Sequence, residues 1–190
     1  MTTQRRKKTY LLGKILLPIV GITLLVSAGL WWIRSEFGHH PHENAIEIRE
    51  GSILPAFSLK TIEGKSISMK SMPHQVVLIN FWATWCEACM HEMPSLVELR
   101  NSFHSRGFEV FGINLDENPD TVVPKIVEQF HIPFPIFKDP EGSVADLFDI
   151  HAIPLTVVLN QDRKILYVKD GEQNWNSPAI RALVERWLTE

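Results

Sequence analysis

VVLINFWATWCEACMHEMPSLVEL, residues 76–99, is the stretch from which the fold is read. Its opening run, Val76 to Phe81, is branched and aromatic, the composition of a buried strand. Trp82-Ala83-Thr84-Trp85 follows, and then the chain's only two cysteines, Cys86 and Cys89, separated by Glu87 and Ala88. Met90, Met93, Leu96, Val97 and Leu99 continue in a helical pattern. Two cysteines three apart across a strand-to-helix junction can close a small disulfide ring within the helix's first turn. The first sulfur then sits where unpaired N–H groups and the helix dipole favour a thiolate. Cys86 is therefore the candidate attacking sulfur, and Cys89, one turn deeper, the candidate resolving one. A bare CxxC is also half of a zinc site, but zinc wants two further ligands, and no second CxxC or CxxH pair exists here.

The string FWATWCEAC, residues 81–89, resembles the thioredoxin superfamily, and with Glu92 and Pro94 it is similar to the membrane-anchored TlpA-type branch. That branch includes the thiol reductases of cytochrome c maturation. The resemblance runs over residues 51–190 and is firmest at Phe81–Pro94 and Ala152–Thr156. It implies an α/β thioredoxin fold with an N-terminal β-hairpin and a central strand-helix insertion, preceded here by one transmembrane helix.

The elements read along the chain agree with that order. Leu54 to Leu59 and Ser66 to Met69 are short strands around the turn Glu63-Gly64-Lys65. Phe108 to Asn114 is a second buried strand, reached by a crossover helix from Cys86 to Ser105, which predicts a parallel pair. Pro119 to His131 is a helix with Val122, Val123, Ile126, Val127 and Phe130 on its apolar side. Phe134 to Phe137 is a short strand, and Ser143 to Phe148 a brief helix. Leu155 to Leu159 and Lys164 to Val168 are antiparallel neighbours, and Pro178 opens the final helix at a position where its missing N–H is harmless.

Ahead of this domain, residues 1–14 are a basic segment expected on the cytoplasmic side. Residues 15–33 carry no charge over 19 residues, enough to cross a hydrocarbon layer of about 30 Å. RRKK precedes this run and Trp31-Trp32 closes it, as positive-inside topology and an interfacial aromatic belt require. A cleaved signal peptide ending near Val26-Ser27-Ala28 is the rival, and both send the remainder out of the cytoplasm. The expected location is a bacterial inner membrane, crossed once, with the C-terminal domain in the periplasm. Residues 34–50 read as a polar linker, including His39-His40-Pro41-His42, and 51–190 as the folded domain. Residues 1–34 hold six basic residues and no acid, leaving 13 of the 19 basic residues against all 22 acidic ones in the rest. That balance argues against nucleic-acid binding by the main domain.

Around the dithiol, the resemblance implies that Pro154 forms a cis bond facing the sulfurs and that backbone at Ile153 pairs with an incoming substrate segment. Glu92 lies three residues beyond Cys89, so on a helix the two share a face. A carboxylate there could accept the Cys89 proton as that thiol attacks, the alternative being a plain surface charge. TlpA-like reductases carry a glutamate at this spacing. Ordinary thioredoxins have a buried aspartate where this chain has Asn80, and an amide cannot take that proton. Glu87 and Ala88 tune the redox poise, Glu87 by disfavouring a Cys86 thiolate. Trp85 offers apolar docking surface, and Trp82 does the same or belongs to the core. Ala152-Ile153-Pro154-Leu155 has no acid at 155, so the resemblance carries the wider TlpA-like group further than a dedicated apocytochrome role.

The expected function is reduction of disulfides in partner proteins, apocytochrome c foremost, with a membrane-bound thiol donor restoring the dithiol. No metal and no cofactor beyond the Cys86–Cys89 disulfide is expected. The alternatives are a disulfide-forming oxidant of the same fold, a copper chaperone using the two sulfurs and His151, and a peroxidase. The last needs a threonine three before the cysteine, whereas Thr84 is two before Cys86.

Overall fold

The elements follow one another as Ser58–Thr61 (β1), Ser66–Ser68 (β2), Val76–Trp82 (β3), Glu87–Phe103 (α1) and Phe108–Asn114 (β4). Pro119–Phe130 (α2), Ile136–Lys138 (β5), Ser143–Leu147 (α3), Leu155–Asn160 (β6), Ile165–Asp170 (β7) and Pro178–Trp187 (α4) complete the series. They come from a computed structural model that describes residues 48–70 and 74–190, with Gly29 and Ile46. The expected membrane segment, 15–33, lies outside the described residues apart from Gly29. Among the described residues no helix is long and apolar enough to cross a membrane.

Among the described residues one sheet holds the seven strands in the order β2-β1-β5-β4-β3-β6-β7. β3 and β4 are parallel from Val76 opposite Phe108 to Trp82 opposite Asn114, as the crossover helix between them requires. β6 runs antiparallel to β3, and β7 antiparallel to β6. Every residue of β3 and β4 is buried. The period of two divides them: Val76, Leu78 and Trp82 enter a layer with Leu96, Leu99 and Phe103 of α1 and Ile180 and Val184 of α4. Val77, Ile79 and Phe81 enter the opposite layer with Phe57, Phe111, Val144 and Phe148. Burying each such side chain contributes about 1.5–3 kcal/mol, so a one-residue slip that exchanged the layers is strongly disfavoured. This register aims Asn80 at α1.

The first strand, expected over Leu54 to Leu59, runs from Ser58 to Thr61, and the crossover helix, expected to reach Ser105, ends at Phe103. Two other element ends differ for local reasons. The strand expected at Phe134 begins at Ile136, because Pro133 and Pro135 have no N–H for a ladder and Phe134 turns into the α1 layer. The helix expected to reach His131 stops at Phe130, and His131 closes it in the left-handed region at φ 50°. Packing also reaches back into the segment read as linker. The Ile46 N–H donates to the Leu147 carbonyl at 2.9 Å, and Ile46 and Ile48 rest on the second layer.

Gly112 of β4 is where two bulky neighbours meet. A Cβ there would lie 2.8 Å from Ile136 Cδ1 and 2.9 Å from Trp82 Nε1. Gly112→Ala is expected to cost about 1–3 kcal/mol by overpacking, read as a lowered denaturation midpoint with the dithiol still reactive.

Candidate active site

The dithiol stands at the C-terminal end of the parallel pair β3–β4, where the chain leaves β3 and enters α1. Cys86 is the N-cap of α1, and its Sγ accepts the backbone N–H of Cys89 at 3.2 Å. The two sulfurs are joined as a disulfide with Cα atoms 5.3 Å apart, within the ordinary span of such bonds. Cys86 is 8% exposed and Cys89 wholly buried, so of the two cysteines only Cys86 retains any contact with solvent. Both roles assigned from the sequence are compatible with this placement.

The turn before Cys86 is held by a buried carboxylate. Thr84 donates its backbone N–H to Asp116 Oδ2 at 2.9 Å and its hydroxyl to Oδ1 at 2.8 Å, and Asn114 Nδ2 donates to Oδ2 at 2.7 Å. Asp116 escaped the sequence reading although it sits just past the end of β4. Thr84→Val is expected to leave Asp116 short of one donor at a cost of about 1–3 kcal/mol, while Thr84→Ser is expected to restore stability in the same denaturation experiment.

Across from the dithiol, the Ile153–Pro154 bond is cis. The pairing of Phe81 with Leu155 brings this bond beside the strand's end, and the Ile153 carbonyl oxygen lies 3.7 Å from Cys86 Sγ. Trp85 is 71% exposed, a large apolar side chain in water at the rim, whereas Trp82 is fully buried core. Ala88 and Ile153 are half-buried. Glu87 is almost fully exposed, 3.9 Å from His91 Nε2, and His91 Nδ1 in turn lies 3.6 Å from Glu172. Water screens a charge in that position, which weakens its hold on the Cys86 thiolate. His151 is exposed and paired with Asp149 at 3.0 Å. Among the described residues no group of three or more His, Cys, Asp or Glu side chains is arranged to hold a metal ion.

Glu92 is the most unusual side chain of the site. It is 2% exposed, so the surface-charge alternative does not hold. Asn80 Nδ2 donates to its Oε1 at 2.7 Å, and the Gln173 backbone N–H and Trp175 Nε1 donate to its Oε2 at 3.3 and 3.1 Å. Burial pushes the carboxyl up to about 7, assisted by the Glu172 charge and opposed by the bonds from Trp175, Asn80 and Gln173. A carboxylate with that affinity exchanges its proton near neutral pH. Asn80 also donates to Thr156 Oγ1 at 3.0 Å, so the amide anchors the helix carboxylate to β6. Trp175 and Gln173 were missed from sequence. A tryptophan inside the polar loop Glu172-Gln173-Asn174-Trp175-Asn176 was the available signal, since an isolated aromatic in such company has to be buried somewhere.

A reducible disulfide at a helix N-terminus, on a mixed sheet sandwiched by helices and beside Ile153–Pro154, defines a thioredoxin-fold thiol-disulfide exchange protein. The model of the AhpC/TSA family matches residues 51–168. The thiol-disulfide oxidoreductase ResA of Bacillus cereus is 31% identical over 152 residues, covering 80% of this chain and 86% of that one. Its counterpart in Bacillus subtilis is 32% identical over 124 residues, 65% of this chain and 69% of that one. The crystal structure of StoA from Bacillus subtilis superposes with a TM-score of 0.56 at 27% identity, over 72% of this chain and 97% of that one. The thioredoxin domain of a thiol-disulfide oxidoreductase from Bacteroides vulgatus shares the fold, with a TM-score of 0.63 at 22% identity over 75% and 99% of the two chains. The chain belongs to the AhpC/TSA family, among the ResA-type thiol-disulfide oxidoreductases, the TlpA-like group its motif resembles.

Proposed function

We propose that the chain is a membrane-tethered reductase of protein disulfides on the outer side of a bacterial inner membrane, with apocytochrome c as leading substrate. The Cys86 thiolate attacks a substrate disulfide, forming a mixed disulfide and releasing one substrate thiolate. Cys89 then attacks Cys86 Sγ, its proton passes to Glu92, and the second substrate thiolate leaves as Cys86–Cys89 closes. The substrate gains two electrons and the dithiol loses them. A membrane-bound thiol protein returns them, since the compartment does not. Trp85 and the Ile153 backbone receive the substrate segment, and the uncharged run 15–33 behind RRKK is the tether.

The observation that carries this proposal is the buried Glu92 one turn beyond Cys89, with its carboxyl at about 7. A base poised there assists deprotonation of the resolving thiol at physiological pH. The direction of electron flow is tested by the reduction potential of the full chain. A reductase is expected nearer thioredoxin's value of about −270 mV, and a value close to about −120 mV would make the protein an oxidant instead.

A further inference from the structure

We infer that Trp175 is a positioning residue for dithiol exchange: with the Gln173 amide it occupies Oε2 of Glu92, leaving Oε1 as the oxygen that takes the Cys89 proton. The inference rests on the proposed role of Glu92 and assigns that role to one atom.

A carboxylate offers about four lone-pair sites, two on each oxygen. Oε2 has both filled, by Trp175 Nε1 at 3.1 Å and the Gln173 N–H at 3.3 Å. Oε1 has one filled, by Asn80 Nδ2 at 2.7 Å, and one open. Trp175 comes from the loop between β7 and α4, 83 residues from its acceptor, and is wholly buried. A second tie keeps that loop in place: the Trp175 backbone N–H donates to Ser95 Oγ at 3.0 Å, and Ser95 Oγ donates to the Glu92 carbonyl at 2.8 Å. Tyr167 of β7 packs edge-on against the indole with centroids 6.4 Å apart. The carboxylate is thus held from two sides, by β3 through Asn80 and by the loop through Trp175 and Gln173, while Ser95 ties that loop to the α1 backbone. Of these neighbours Glu172 of the loop is charged and raises the proton affinity of Glu92, while Asn80 on β3 is neutral and donates. Removing the indole donor withdraws support for the ionised form, so less of Glu92 is ready to accept a proton at neutral pH.

The test is single-turnover reaction of the reduced full chain with an aromatic disulfide that releases a coloured thiolate. The first release reports attack by Cys86 and the second reports resolution by Cys89. Trp175→Phe is compared with site-specific benzothienylalanine at 175, which keeps the ring shape and removes the N–H. In both, the pH midpoint of the second release is expected to move upward by about one unit, slowing that phase near neutral pH by up to about tenfold. The first release is expected to be unchanged. An unmoved midpoint in both variants, or parallel slowing of both phases, would overturn the positioning role if Glu92→Gln still slows the second release. If Glu92→Gln leaves the second release untouched, the role of Glu92 falls, and that of Trp175 with it.

Discussion

Cys89→Ser is expected to leave the protein covalently joined to its substrates. Cys86 is the more accessible of the two cysteines, and its Sγ takes the Cys89 backbone N–H, a donor that favours the ionised form once the disulfide is open. It therefore still attacks, and the mixed disulfide forms. With a serine hydroxyl at 89 there is no second sulfur to expel the substrate thiolate, so the reaction stops at that stage. Adducts are expected on non-reducing gels and are expected to vanish with added reductant. Cys86→Ser has the opposite signature: no adduct and no turnover, because the wholly buried Cys89 has no route to a partner. Mass spectrometry of the trapped species identifies the substrate and tests apocytochrome c directly.

Glu92→Gln is expected to separate chemistry from stability. At neutral pH it is expected to slow resolution by about a hundredfold or more, the ordinary contribution of a positioned general base, while the attack by Cys86 proceeds. Stability moves the other way. The carboxyl is raised from 4.5 to about 7 in the folded chain, so between those values the folded state holds a proton that the unfolded state has released. The stabilisation is complete below about pH 4.5 and is lost as pH rises through 7, a change of roughly 3 kcal/mol. Glutamine cannot ionise, and the Asn80 amide can turn over to present its oxygen to the new NH2 group. Urea unfolding at several pH values is therefore expected to give a flatter profile for the variant. The two proteins should be close near pH 5 and the variant more stable at pH 8.

What the sequence revealed about this site was its local part. Val76 to Phe81 announces a buried strand by composition, and Cys86 and Cys89 announce a dithiol by spacing, because strand and N-cap preferences act over a few residues. The parallel pairing of β3 with β4 followed from the length of the crossover, and the antiparallel β6–β7 pair from its short connection. Glu92 was visible as a residue but not as a buried one, since its burial depends on Trp175 and Gln173, more than 80 residues later, and on Asn80 across the layer. The exchange of a strand carboxylate for Asn80 read as a loss of acid. It is instead half of a pair, with the amide serving as donor to a carboxylate that stands on α1. Asp116 was hidden for the same reason: its partner Thr84 lies 32 residues back, and nothing in either neighbourhood links them. The start of β5 was misplaced because Pro133 and Pro135 remove ladder donors from a stretch whose apolar residues resemble a strand.

Brief alkylation of the reduced full chain with a limiting reagent, followed by peptide mass mapping, tests most directly that Cys86 is the attacking sulfur. The expected result is label on Cys86 with Cys89 unmodified, and labelling that rises with pH as the Cys86 thiol ionises. Label appearing first on Cys89, or equally on both sulfurs, would contradict the division of labour on which the proposed exchange depends.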